Sequence, residues 1–384
     1  MQPGYATTVQ NGSATASRPL RVISADSHVL EPPDLWSRGL AGTPFAARAP
    51  RVAANPATGS DAFLIDGLEP QPVSLPGAAG MASEDLHESG SIEDARRGGW
   101  DLSARLADQD LDGIGAEVLY PSIAMALTRV ADFPYQLACA RAYNDWLAEL
   151  TGAARDRVAG LALVPTVDVD AAVAEVDRAH RAGLRGVLLP GRPPVGHYAE
   201  ARFDPLWAAC AERRLPVSFH LALTGDPAGD PTLGSGIKMM TVMSVVQAMQ
   251  QTLSLLIFGG VFDRHPTLAV VSAEHDAGWV AHYTARLDQL FERHRHWLGP
   301  DLTLARLPSE YVGANAWFTF QKDPVAVETR QRVGVTQLMW ASDYPHSDST
   351  WPHSRKVIER DFHGVPDDEL ALLVGGNAAA LYSW

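Results

Sequence analysis

The chain has 384 residues, 46% of them apolar and 20% charged, the balance of a soluble globular protein with the length of one α/β barrel plus insertions. A formal charge of −14 argues against a nucleic-acid surface, which needs clustered lysine and arginine. It leaves an anionic substrate open, because a buried metal or one arginine reverses the local field. Two cysteines, no 18-residue apolar stretch and no basic-then-apolar leader give no grounds for a disulfide framework, a thiolate metal site or a membrane span. The expectation is a cytoplasmic protein acting on a small molecule, with neither nucleic acid nor membrane as partner.

Residues 1–18 are small and polar without periodicity, and read as a disordered leader ahead of a domain at 19–384. RVISAD at 21–26 is a short apolar run that delivers polar residues to the end of a strand. Residues 40–95 are rich in Gly, Pro and Ala and too long for a simple connection, so they read as an excursion over a barrel mouth. SARLADQDLDGIG predicts a helix, AEVLYPS at 116–122 a strand, and 134–150 a helix opened by Pro134. Strand and helix then alternate through 158–165, 169–184, 185–191, 203–214 and 215–222. The alternation resumes through 267–275, 278–295, 317–320, 324–334 and 336–343. Cys139 and Cys210 fall in helical text and read as small buried residues. Such alternation means right-handed βαβ units and a parallel sheet. About eight strands favour a closed (β/α)8 barrel, one domain with insertions at its mouth, over an open sheet. No GxGxxG or GxxxxGK[ST] pattern follows an early strand, which removes the main reason to expect a nucleotide-binding fold.

In a parallel barrel the functional side chains sit at the C-terminal ends of the strands. That rule selects Asp26 and His28 in ADSHV, whose i, i+2 spacing points both side chains the same way on an extended chain. It also selects His220, which ends PVSFH, and Asp343, which ends LMWASD. Two oxygens and two nitrogens suit one borderline divalent ion, Zn²⁺ first and Mn²⁺ second, with a position left for water or substrate. Singly, each residue has a plainer reading, such as a hydrogen-bonded histidine or a helix-capping aspartate. Their joint placement at the ends of strands 1, 5 and 8 is what points to a metal. Softer signals surround them. Glu31 either accepts from the His28 imidazole and orients it or belongs to a surface loop. Arg192, just past RGVLLPG, either grips a substrate carboxylate or makes a loop salt bridge. His346 and Asp348 either line the substrate pocket or order the last loop, and Trp279, Trp340 and Trp351 read as packing.

The segments ADSHVLEPPDLW, FDRHPTLAVVSAEHDAGWV, WASDYPHSDSTWPHS and the closing GGNAAALY resemble the amidohydrolase-related family that includes aminocarboxymuconate-semialdehyde decarboxylase. The likeness runs from about residue 21 to the end. It implies a distorted (β/α)8 barrel, one catalytic divalent metal (usually zinc, sometimes manganese) and a homodimer. It places ligands at Asp26, His28, His220 and Asp343, Asp26 standing where the decarboxylase itself has a histidine. The family's catalytic histidine follows strand 6 and falls in AEHDAGW, where Glu274 takes the matching place and His275 is the next residue. Either one can carry the proton.

The preferred functional reading is a carbon–carbon lyase that removes CO₂ from a small aromatic or unsaturated carboxylic acid. The ion would stabilise the developing charge, and an Asp343 or Glu274 carboxyl would move the proton. The alternative is a hydrolase of an amide, ester or lactone, in which Asp343 takes the proton of an attacking water. A binding module that kept this ligand set without turnover is the third class. The ligands serve all three.

Overall fold

The computed structural model describes residues 20–87, 89–220, 235–299 and 302–384; the expected leader at 1–18 lies outside them. Eight parallel strands form one sheet in chain order: β1 (Ile23–His28), β5 (Ala116–Tyr120), β6 (Val158–Leu163), β7 (Gly186–Leu189), β8 (Val217–His220), β9 (Val270–Ala273), β10 (Ala316–Phe320) and β11 (Leu338–Trp340). Every residue of these strands is buried except the half-buried Trp317. Such near-continuous apolar runs are what a parallel sheet needs when helices cover its outer face and its own side chains fill the centre.

The helices obey the local chemistry of their ends. Asp101, Asp132, Asp168 and Asp323 each accept a backbone N–H of the first turn that follows. Pro134 and Pro324 occupy first-turn positions that need no donor. Gly113 and Gly183 end Leu102–Asp112 and Val169–Ala182 in the left-handed conformation, at φ 73° and 94°. Cys139 and Cys210 are buried free thiols. The sequence reading omitted the helix Ser235–Phe258, whose Val245, Met249, Leu253 and Leu256 are buried. Among the described residues no helix is long and apolar enough to cross a membrane.

Residues 40–95 are more ordered than their composition suggested. They hold a three-stranded antiparallel sheet of β2 (Arg51–Ala54), β3 (Asp61–Leu64) and β4 (Gln71–Pro72). The strands are too short to show a period in sequence. The excursion is tied to the loop after the last strand, because Ala79 N–H donates to Pro345 O and Ser347 N–H to Leu75 O.

The barrel is nearly closed, and its seam lies between β1 and the segment after β11. β1 carries a bulge: Ser24 pairs with Glu117 and Ser27 with Leu119, so three steps on β1 oppose two on β5. Across the seam Asp343 N–H donates to Asp26 O, and Ser342 N–H donates to the Ser24 hydroxyl. The closing GGNAAALY packs beneath. A Cβ on Gly375 would collide with the Arg21 carbonyl, and Asn377 Nδ2 donates to both Val335 O and Leu338 O at 2.7 Å.

Beside the bulge lies a buried ion pair. Arg105 Nη1 stands 2.7 Å from Glu117 Oε2, with the two side chains 1% and 2% exposed. Glu117 also accepts from Gln109 and from the Ser27 hydroxyl, and Arg105 donates to Gly98 O and His28 O. Arg105→Met leaves this carboxylate buried without its cation, a change that costs about 3–5 kcal/mol. The urea midpoint followed by circular dichroism should fall accordingly, and an unchanged midpoint would show that the network does not carry β1.

Candidate metal centre

Four barrel strands deliver one cluster. β1 brings Asp26 and His28, β8 ends on His220, Glu274 follows β9 by one residue, and Asp343 follows β11 by three. His28 Nε2 stands 3.6 Å from Asp26 Oδ1, 3.3 Å from Asp343 Oδ1 and 3.3 Å from His220 Nε2. His220 Nε2 stands 3.7 Å from Asp26 Oδ1 and 3.1 Å from Glu274 Oε2. Donors about 2.1 Å from one tetrahedral ion are about 3.4 Å apart, which is the middle of these separations. Among the described residues two triples have donor atoms mutually within 4.8 Å: Asp26–His28–His220 and His28–Asp343–His346. The four candidate ligands read from the sequence thus fall into two triples that share His28, with Asp343 grouped with His346 rather than with Asp26 and His220.

The orientation of each donor has a cause. His28 Nδ1 lies 2.8 Å from Pro121 O. A carbonyl only accepts, so Nδ1 carries the proton and the Nε2 lone pair faces the cluster. Asp26 Oδ2 accepts from the Thr319 hydroxyl at 3.1 Å, which leaves Oδ1 to face the two imidazoles. Asp343 does not end its strand as the sequence suggested. It sits in the loop at φ 58°, a left-handed conformation that aspartate tolerates better than most residues. His346 is in the cluster rather than merely along the pocket. Its Nδ1 is 3.0 Å from Asp343 Oδ1, its Nε2 is 2.8 Å from the Ser122 hydroxyl, and its ring stacks on His28 at 3.8 Å.

After β9 the two candidates for proton transfer separate. Glu274, at φ 60°, reaches His220 with a carboxyl about a third exposed (34%). His275, two residues past β9, is buried with Nδ1 3.1 Å from the hydroxyl of Ser272 on that strand.

The electrostatics are unbalanced without a cation. Burial, with Asp26 adding repulsion, pushes Asp343 well up from the usual carboxylate range. Burial and the neighbouring Asp343 and Asp26 raise Glu274 to about 8. Burial, His346 and His220 hold His28 well below the usual imidazole value, so it is a neutral donor. Burial pulls His346 down to about 4 and His275 to about 3. Asp26 Oδ1 and Asp343 Oδ1 are buried and accept no hydrogen bond. A divalent cation beside His28 answers these features: it offsets the crowded carboxylates, gives a buried carboxylate oxygen its missing partner and takes the His28 lone pair. The residues fit one.

The remaining candidates fall elsewhere. Arg192 is exposed and donates to Gln251 at 2.5 Å. Gln251 lines an open groove of about 950 Å³ with His197, Leu255 and Tyr283, none of them a cluster residue. Asp348 is exposed and pairs with Lys322 at 3.0 Å. Trp340 is fully buried, and Trp351 packs under the Arg96 guanidinium. The supports Thr319, Arg105 and Pro121 escaped the sequence reading, because a threonine inside a strand or an arginine inside a helix carries no local mark of its partner.

The sequence profile of the amidohydrolase family matches residues 68–384. A γ-resorcylate decarboxylase of Rhizobium sp. strain MTP-10005 is 25% identical over 287 residues, covering 68% of this chain and 85% of its own. Among solved structures, an amidohydrolase of Mycobacterium avium subsp. paratuberculosis superposes with a TM-score of 0.75 at 24% identity, covering 95% of this chain and 98% of its own. A dihydroxybenzoic acid decarboxylase of Polaromonas sp., solved with bound manganese and an inhibitor, superposes with a TM-score of 0.65 at 18% identity, covering 94% and 97%.

Glu31 acts at one remove from where the sequence placed it. It makes no hydrogen bond to His28; its fully buried carboxylate accepts the N–H groups of Ser122, Ile123 and Ala124 at 3.2, 2.9 and 3.0 Å. Those N–H groups belong to the loop whose Pro121 carbonyl orients His28. Burial outweighs the three bonds and raises the carboxyl to about 7. Stranding a buried N–H costs about 1–3 kcal/mol, so Glu31→Ala should lose about 3 kcal/mol or more in chemical denaturation. A loss too small to measure would mean that the loop holds itself.

Proposed function

The chain belongs to the amidohydrolase family, and from that premise we propose that it is a metal-dependent nonoxidative decarboxylase of small aromatic carboxylic acids. The proposal assigns one divalent ion, Zn²⁺ or Mn²⁺, to Asp26, His28, His220 and Asp343. The observation that carries the lyase over the hydrolase reading is the kinship with γ-resorcylate decarboxylases along 85% of their length. Hydroxylated benzoates are accordingly the first substrates to test. Manganese bound in the Polaromonas decarboxylase supports Mn²⁺ beside Zn²⁺, and the mixed oxygen and nitrogen donors accept either.

When bound, the ion supplies a fixed positive charge that holds the substrate carboxylate or a neighbouring hydroxyl and stabilises the charge developing as the bond breaks. The chain's own residues do the rest. Loss of CO₂ breaks the carbon–carbon bond and leaves its electron pair on the ring carbon, which must take up one proton. Glu274 is assigned as the donor, because its carboxyl lies at the cluster and is partly open, whereas His275 is buried against Ser272. After donation the exposed edge of Glu274 recovers a proton from solvent. His346 stacks on His28 with its Nδ1 beside Asp343 Oδ1, while the Ser122 hydroxyl holds the far side of its ring. Glu31 and Pro121 fix the His28 tautomer.

Purified protein should carry close to one Zn²⁺ or Mn²⁺ per chain, and Asp26→Ala, His28→Ala and His220→Ala should each lose metal and activity together by elemental analysis and assay. Full activity in metal-free protein would rule out the ion's role. The reaction itself is tested by CO₂ release from a panel of hydroxybenzoates, run beside simple amides, esters and lactones. Hydrolysis of the latter without CO₂ release from any acid would replace the lyase reading. On the substrate so found, Glu274→Gln should reduce kcat by about 10²-fold or more with metal content intact, a normal size for a lost general acid. His275→Asn should retain turnover. The reverse pattern would transfer the proton to His275.

A further inference from the structure

Thr319 lies on β10, the seventh barrel strand, with no exposed surface. Its hydroxyl accepts the Glu274 N–H at 2.8 Å and lies 3.1 Å from Asp26 Oδ2. A backbone amide can only donate, and a hydroxyl has a single proton, so that proton goes to the carboxylate. The direction of both bonds is therefore determined. Threonine suits the place because its branched Cβ leaves χ1 few choices, which makes the hydroxyl a fixed point between two other segments of chain.

Both ends of this bridge matter. At one end, Asp26 is held by Oδ2, so Oδ1 stays turned toward His28 and His220. At the other, Glu274 has φ 60°, a left-handed conformation that costs an L-residue about 1–2 kcal/mol and persists only when its surroundings hold it. The Thr319 hydroxyl takes the N–H of that strained residue, whose carboxyl then meets His220 at 3.1 Å.

We infer that Thr319 is a positioning residue that sets, through one hydroxyl, both the metal-facing carboxylate of Asp26 and the proton-carrying carboxyl of Glu274. The inference rests on the metal-centre reading above and extends it to a strand that supplies no ligand. It also couples the two tasks, because loss of this hydroxyl frees the ion's ligand and the proton donor together.

The test compares Thr319→Val, which keeps the shape without the hydroxyl, with Thr319→Ser, which keeps the hydroxyl without the methyl. Mn²⁺ affinity of chelator-stripped protein is measured by competition with an indicator, and amide exchange of the segment around Glu274 is followed in the same samples. Thr319→Val should weaken Mn²⁺ binding about 10–100-fold, the usual effect of removing a partner of a ligand, while Thr319→Ser stays within about threefold of wild type. Exchange at Glu274 should quicken in the valine variant alone. Mn²⁺ binding by Thr319→Val within about twofold of wild type would overturn the role of Thr319 alone, as would a serine variant as impaired as the valine one. Should Thr319→Val fail to fold, Thr319→Ala takes its place, and equal loss in the alanine and serine variants overturns the inference. Wild-type protein that binds no Mn²⁺ and no Zn²⁺ would overturn the metal reading and this inference with it.

Discussion

The burial of carboxyl groups close to one another is the constraint on which this molecule's rim depends. Asp26 and Asp343 are buried beside His28 and His220 with Glu274 partly open at the edge; Asp26 raises the proton affinity of Asp343, and both raise that of Glu274. Two like charges about 5 Å apart at an effective dielectric of about 20 repel by about 3 kcal/mol, an appreciable part of a domain's whole stability. An arrangement that opposes folding this strongly has to be held by directional bonds from outside. Those bonds come from the Pro121 carbonyl, the Thr319 hydroxyl, the Asp343 amide and the buried Arg105. A cation that binds only the folded arrangement converts the repulsion into attraction, so metal binding and stability are linked quantities here.

The barrel supplies the framework by being imperfect at one place. Strands β5 to β10 pair in an uninterrupted parallel run, while the β1–β11 seam is closed by isolated bonds and by the hydroxyls of Ser24, Ser27 and Ser342. The β1 bulge lies between Ser24 and Ser27, and Asp26 is inside it. Asp343 meets Asp26 across the seam through a backbone bond. The distortion that interrupts the ladder is thus what places two carboxylates beside one imidazole. Arg105 and Glu117 then brace the bulge from behind, where bulge and ion pair are both out of water.

Chemical choice within the family's architecture rests on few groups. The ligands alone suit either loss of CO₂ or hydrolysis, so the deciding element is what stands above them. Beside His220 stands the carboxyl of Glu274, a left-handed residue, and the next residue, His275, is buried. Arg192, which could have gripped a substrate carboxylate, is instead engaged by Gln251 of the helix Ser235–Phe258.

Much of this was legible in the residues alone, for identifiable reasons. Strand–helix alternation is a periodic signal, so the barrel strands and most of their helices could be read to within a few residues, and caps such as Asp168 and Gly183 mark ends by local chemistry. Asp26, His28, His220 and Asp343 could be chosen because a parallel barrel sends the ends of its strands to one rim, whatever the loops do. The order within 40–95 was not legible, because β2, β3 and β4 are too short for a period to emerge. Nor was the helix at 235–258, whose sequence shows no single helical spacing of apolar residues. Tertiary structure alone decided the finer points of the site. That Glu31 holds a loop instead of an imidazole, that His346 stacks on His28, and that the Glu274 carboxyl meets His220 all depend on bonds between segments far apart in the chain. Such bonds depend on two distant segments and on backbone angles that residue type restricts but does not specify. A threonine in WFTF gives no sign of the aspartate 293 positions away that needs its proton.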